Sequence, residues 1–279
     1  MLRSVALIGL ALLAFAGNSL LNRVALASGA IDPGSFTVIR LVSGAIMLAL
    51  VMRIQREPDF WPRLSDARGG VSLFIYAGCF SFAYTDLQAG TGALLLFTSV
   101  QLAMQVIAFI RGNRPSGFQI AGLVLALAGL YWLLGPGASP PPLGAAVLMV
   151  TSGSAWGVYS SLGLTGSAPA LATARNFLFA APLSLILLLF LPTTLSHYGI
   201  GLAVGAGAIT SALGYVIWYK ALPGLSATSA GVAQLLVPPI ASMGGMVFLD
   251  EVISSRLIAA TGLILIGIAL TFWKGKCAK

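Results

Sequence analysis

Of the 279 residues only 8% are charged and 58% are hydrophobic, with 15 Lys and Arg against 7 Asp and Glu, and the mean hydropathy is +0.97. An average soluble domain is about 25% charged, so this chain has too few polar groups to cover the outside of a water-soluble fold. The formal net charge of +8 does not indicate nucleic acid either, because the cations are spread over separate short segments and form no single face.

Apolar runs of about 18 residues or more are long enough, at ~1.5 Å per residue, to cross a ~30 Å hydrocarbon core. Ten such helices are predicted: 4–27, 34–52, 70–87, 91–111, 117–135, 142–162, 171–191, 198–221, 226–249 and 256–273. Between them lie Pro, Gly or charge, as in Asp32-Pro33-Gly34, Arg111-Gly112-Asn113-Arg114-Pro115 and Leu222-Pro223-Gly224, the punctuation that ends helices. A β-barrel needs alternating segments of about 10 residues, and these runs do not alternate. Arg3, an apolar stretch and Ala14-Phe15-Ala16 also fit a cleaved signal peptide, but the stretch runs on through Leu26 and has a counterpart in the second half.

Taken in chain order, the helices that are not purely apolar supply candidates for a substrate chamber. Helix 1 has Asn18 and Ser19, and helix 3 has Tyr76 and Phe80. Thr98, Gln101 and Gln105 share one face of helix 4, as Ser152, Trp156 and Tyr159 share one face of helix 6. Helix 8 adds Tyr215 and helix 9 adds Gln234. Amide and hydroxyl groups can hold the charged ends of an amino acid while rings stack on its side chain. The plainer reading of Gln and Ser is that they join helix to helix, at about 0.6 kcal/mol per bond. Tyr84, Trp218 and Tyr219 lie near helix ends, where rings serve as interfacial anchors, and Gly201-x-x-x-Gly205 is expected to be a helix contact.

Arg40 and Arg175 sit about six residues inside helices 2 and 7, roughly 9 Å deep. Two readings stand for them: snorkelling to headgroups, or a gate or counter-ion for a substrate carboxylate. Pro238-Pro239 removes two backbone donors within predicted helix 9 and marks an expected bend.

The fifth and tenth runs, "GFQIAGLVLALAGLYWLL" from Gly117 and "RLIAATGLILIGIALTFW" from Arg256, pair Gly129 with Gly267. With small gaps, Arg40 falls on Arg175. The chain therefore divides into two five-helix units, 1–138 and 139–279, and because five is odd the second must enter the membrane from the opposite side, as an inverted repeat. Loop charge agrees, since short cytoplasmic loops are rich in Lys and Arg. Arg53, Arg56, Arg63 and Arg68 lie between helices 2 and 3, whereas the matching 7–8 spacer holds only His197. Both termini are then cytoplasmic.

Ala155-Trp156-Gly157, Arg40, Arg175 and the run from Ser226 through Pro238-Pro239 and Asp250-Glu251 to the Gly-spaced last helix resemble the drug/metabolite transporter superfamily with its EamA-type repeats. Within it the chain looks most like the YddG group of bacterial exporters of aromatic and some other amino acids. The first half departs from the motif, with Val100-Gln101 in place of the Pro pair. The resemblance implies an all-α integral membrane fold of ten transmembrane helices, two inverted repeats around a central cavity, with helices 5 and 10 outside it. It also implies a bacterial inner-membrane location, a small-molecule substrate and lipid as the partners, and alternating access. Other metabolites, such as nucleosides, sugars or drugs, fit the same cavity chemistry, as does a passive channel. A monomer is compatible with the sequence.

All seven acidic residues lie in spacers or at helix ends, so no midplane carboxylate is expected to carry a proton or to neutralise a cationic drug. An enzyme would want His with acid partners, paired carboxylates or metal ligands, and the single His is in a spacer. No catalytic residue, metal or cofactor is expected, and Cys79 and Cys277 suggest no disulfide.

Overall fold

The computed structural model describes residues 2–57, 59–112, 114–135, 140–163, 168–189, 194–221 and 233–271. These form ten helical rods: α1 (Leu2–Ala27), α2 (Pro33–Ile54), α3 (Ala67–Ala83), α4 (Ala89–Ile110), α5 (Gly117–Leu134), α6 (Leu143–Gly163), α7 (Pro169–Leu189), α8 (His197–Ala221), α9 (Val237–Leu249) and α10 (Ser255–Thr271). Six of them, α1, α2, α4, α5, α7 and α8, are long and apolar enough to cross a bilayer. The chain is a multi-span membrane protein.

Local chemistry sets several boundaries. Asp32 is the N-cap of α2, its carboxylate accepting the Ser35 amide at 2.8 Å, with Pro33 in the first turn; both features suit a helix start. Ser116 and Gln119 form a reciprocal capping box on α5. The described helix α9 begins at Val237, so Pro238 and Pro239 stand in its first turn, where a missing N–H is best tolerated. Ala233 and Gln234 ahead of it are helical and 235–236 form a turn, so the helical run breaks directly before the Pro pair. Residues 226–232 of the predicted run lie outside the described residues.

The larger helix contacts follow one rule. α1 packs on α8 and α9 as α6 packs on α3 and α4; α2 meets α8 as α7 meets α3; α2 meets α7, and α5 meets α10. The set is unchanged when each helix is exchanged for the one five places along. Lipid removes the hydrophobic drive between helices, so close approach of small residues holds such a bundle together. At the α5–α10 seam a side chain on Gly122 would meet the Gly267 carbonyl, and one on Gly129 would meet Ile264. Tyr131 and Trp132 at the end of α5 are exposed, as interfacial rings are.

The expected contact at Gly201 and Gly205 is made in part: nothing lies within 4 Å of a Cβ placed on Gly201, whereas one on Gly205 would lie 3.7 Å from Leu21 of α1. Other glycines that admit a neighbour include Gly153 and Gly157 on α6, against Leu96, Val100 and Ala103 of α4, and Gly207 on α8, against the Arg40 carbonyl. Gly207→Ala is therefore expected to force α2 and α8 apart and to cost about 2 kcal/mol, in the range of overpacked sites. Thermal unfolding in detergent is the check, and Gly201→Ala should be silent in the same assay.

Candidate functional site

Rings from both halves meet in the middle of the bundle. Trp156 of α6 is the hub, its centroid 4.8 Å from Tyr76 of α3, 5.0 Å from Tyr215 of α8 and 5.0 Å from Tyr159, on which it stacks. Phe80 leans on Tyr76 at 5.4 Å, and Phe15 and Phe177 each approach Tyr215 at 6.0 Å. Distances of this order are those of attractive ring pairs. The resemblance implies a central cavity at this level, and there the rings approach one another from both halves. Tyr76, Tyr159 and Tyr215 are buried, whereas Trp156 keeps part of its surface accessible.

A polar network flanks the rings. Arg40 of α2 is 1% exposed; its Nη2 donates to the Tyr76 hydroxyl at 3.0 Å and its Nε to Ser211 Oγ at 3.2 Å. Its guanidinium carbon also lies 5.2 and 5.0 Å from the ring centroids of Tyr76 and Phe80, within cation–π range. Asn18 Nδ2 donates to the same Tyr76 hydroxyl at 3.4 Å, and Thr210 donates to Asn18 Oδ1 at 3.4 Å. Asn22 and Ser81 extend the network between α1 and α3.

Thr210 and Ser211 stand in a π-helical stretch of α8, Gly205–Leu213. Single π turns inside α-helices recur at functional sites, because the wider turn re-aims side chains. Here two successive residues are directed at α1 and α2, Thr210 at Asn18 and Ser211 at Arg40. Nothing but small residues, Gly205-Ala206-Gly207-Ala208, marks the stretch in sequence.

The other candidates divide. Ser19 is buried beside the Tyr84 hydroxyl. Ser152, expected to face the chamber, is fully buried and donates to the Tyr76 carbonyl at 2.9 Å, joining α6 to α3. Thr98 is fully buried too, its hydroxyl returned to Leu94 O of its own helix at 2.6 Å. Gln105 lies toward the end of α4, where it lines a cavity of about 350 Å3 with Phe109, Arg114 and Gln119 as α4 passes into α5. Gln101 and Gln234 are half-buried, the former beside the α4 stretch that packs on Gly157, the latter just before α9.

The arginines also part company. Arg40 does not snorkel. Arg175 reaches the α2–α3 connection, where Nη2 donates to the Asp59 carbonyl and lies 3.4 Å from its carboxylate. Tyr84 and Trp218, read as interfacial anchors, are buried instead: Tyr84 is 0% exposed, edge-on to Phe80, with its hydroxyl donating to Ala89 O at 3.3 Å.

Sequence reading missed a clamp. Arg23, near the end of α1, donates from Nε to Glu251 at 3.0 Å and from Nη1 to the Tyr84 and Thr85 carbonyls at 3.1 and 2.8 Å. Glu251 in turn accepts the Ala89 amide at the start of α4 at 2.8 Å. It is delivered there by Asp250, a left-handed residue (φ 53°) that ends α9 and turns the chain back, with the Glu251 amide bonded to Gly245 O. On the same face Asp32 also accepts the Thr194 amide, which ties the α1–α2 connection to the α7–α8 connection. The available signal was Arg23 itself, a cation inside the first predicted apolar run.

The EamA-like transporter family model matches the chain twice, over residues 2–135 and 142–273. An uncharacterised protein of Pseudomonas aeruginosa is 49% identical over 270 residues, 96% of this chain and 94% of its own length. The threonine/homoserine exporter RhtA of Escherichia coli K12 is 28% identical over 240 residues, 82% of this chain and 78% of its own. A Streptantibioticus cattleyicolor protein named "Probable terminal-alkyne amino-acid exporter" is 26% identical over 192 residues, 66% of this chain and 64% of its own. A crystal structure with 19% identity superposes with a TM-score of 0.68 over 96% of both chains, a likeness of fold.

Proposed function

The chain belongs to the EamA-like transporter family, and from that premise we propose that it exports small neutral amino acids, aromatic ones among them, across the bacterial inner membrane by alternating access. The transporting unit is two inverted five-helix repeats, 1–138 and 139–279, with both termini in the cytoplasm. Opposite insertion is supported by the connections that meet on one face. Arg23 joins the end of α1 to the α3–α4 and α9–α10 connections, and Arg256 at the start of α10 donates to Trp132 O and Gly135 O at the end of α5. α1 and α5 therefore end on that face, and α6 sets out from it. The opposite face carries Arg53, Arg56, Arg63, Arg68, Arg111 and Arg114, as a cytoplasmic face does.

The observation that carries the cargo assignment is the Trp156 hub. It unites rings from both halves with one accessible side and lies beside a buried cation and several hydroxyls, a combination that suits a ring or aliphatic side chain joined to a charged head. The named activities of RhtA and of the S. cattleyicolor protein, and the likeness to the YddG group, point to the same class. A flux screen of purified protein in liposomes, over amino acids, nucleosides, sugars and cationic dyes and with and without a pH gradient, tests it. Saturable amino-acid flux with counterflow is expected, and dye or nucleoside flux alone overturns the assignment. Counterflow also separates a carrier from a channel. Trp156→Ala removes three ring pairs of about 0.5–1.5 kcal/mol each and should lower flux about tenfold or more with the fold retained. Gln101→Ala should lower it less, and unchanged flux in both variants removes these residues from the pathway.

A further inference from the structure

The sequence aligns Arg40 with Arg175, yet only Arg175 has a carboxylate. Asp59, in the α2–α3 connection, supplies it. The equivalent α7–α8 connection, residues 190–197, contains no acidic residue, and Asp32, the nearest acid in sequence, is taken by the Ser35 and Thr194 amides. Among the described residues Arg40 forms no ion pair. An arginine in the membrane interior almost always pairs with an acid or with carbonyls, because an uncompensated buried charge is costly.

Arg40 is also incompletely bonded. Its Nη1 is buried and has no hydrogen-bond partner. The buried hydroxyl of Tyr215 makes no hydrogen bond of normal geometry; it lies toward the Tyr76 hydroxyl that Arg40 Nη2 holds, within electrostatic reach of the guanidinium. Two unfilled donors from opposite halves, one of them cationic, stand beside the Trp156 rings. A carboxylate is the group that would use both, because it is acceptor-only, carries the missing charge and forms its strongest bonds with guanidinium.

We infer that Arg40 Nη1 and the Tyr215 hydroxyl form the binding site for the carboxylate of the transported solute. This rests on the amino-acid reading above and deepens it: the carboxylate lies against α2 and α8, and the side chain lies on the Trp156 rings. Because the two donors come from different halves, a bound carboxylate links them.

Three probes separate the groups of the solute: L-phenylalanine, L-phenylalaninamide, which lacks the carboxylate, and 3-phenylpropionate, which lacks the amine. Thermal stabilisation of the purified full chain is read against the concentration of each. L-Phenylalanine and 3-phenylpropionate are expected to stabilise it, and the amide to need at least about tenfold more, the equivalent of one hydrogen bond to a charged group. Tyr215→Phe, which keeps the ring, should raise the half-saturating concentration of both carboxylates about tenfold. Arg40→Gln should raise it about a hundredfold; if that variant does not fold, the amide comparison and Tyr215→Phe still decide. Equal stabilisation by amide and acid, no stabilisation by either carboxylate, or unchanged binding in Tyr215→Phe overturns the site. Amino-acid flux with no dependence on the carboxylate or on Tyr215 leaves the export reading standing without this site. Stabilisation by 3-phenylpropionate that depends on Tyr215, in a protein that moves no amino acid, leaves the site standing without that reading.

Discussion

Glu251→Ala is expected to destabilise the protein by about 3 kcal/mol, the scale found when one partner of a largely buried ion pair is removed. The side chains of Arg23 and Glu251 are 17% and 10% exposed, so water can replace little of what is lost. The variant also strips the acceptor from the Ala89 amide, one of the four N–H groups at the start of α4 that have no intrahelical partner. Arg23 keeps the Tyr84 and Thr85 carbonyls but no counter-charge. Glu251→Gln, which retains an acceptor for one of the two bonds, should lose roughly half as much. An Arg23→Met/Glu251→Leu pair should recover part of the loss, because it removes both charges together. Melting temperatures of the four proteins in detergent decide this, and Glu251→Ala melting with the parent would show that the two carbonyls alone satisfy Arg23.

The location of the helices was legible because a bilayer imposes a length and an apolar composition on each run. That α5 and α10 are counterparts was legible in the Gly129 and Gly267 alignment; the seam itself, Gly122 against Gly267 and Gly129 against Ile264, was not. Polar residues inside helices were less readable. Ser152, Thr98 and Gln101 look alike in a string of letters, yet Ser152 bonds a neighbouring helix and Thr98 its own backbone. Such a choice depends on side-chain direction and on the carbonyls in reach, which hydropathy does not encode. The divergence of Arg40 and Arg175 could have been anticipated, since the acid that meets Arg175 is present in one connection and missing from its counterpart. The π-helical stretch could not, because Gly and Ala permit it without demanding it. The prolines of α9 were legible as an interruption: Ala233 and Gln234 are helical, a turn follows, and the helix that contains the prolines starts at Val237.

A disulfide between Ile31→Cys and Leu195→Cys is expected to abolish transport, and reductant to restore it. These residues face each other across an isolated antiparallel bridge between the α1–α2 and α7–α8 connections. The bridge is flanked by Asp32 N to Thr194 O at 3.1 Å and Ser196 N to Ala30 O at 3.0 Å, so positions 31 and 195 form the non-hydrogen-bonded pair. Such pairs bring Cα atoms to about 4.5 Å, at the near edge of the 4.4–6.8 Å span that a disulfide tolerates. The experiment uses a background lacking Cys79 and Cys277, and non-reducing electrophoresis after cleavage between the halves reports closure of the bond. If the halves rock about the Trp156 hub, this face must open once per cycle, and a covalent link across it holds the protein closed there. The ring cluster should then still bind solute from the opposite face, so that binding persists while flux stops. Full flux through the cross-linked protein would instead mean that the two connections move as one body and that the face opens elsewhere, with the Arg23–Glu251 clamp the next place to link.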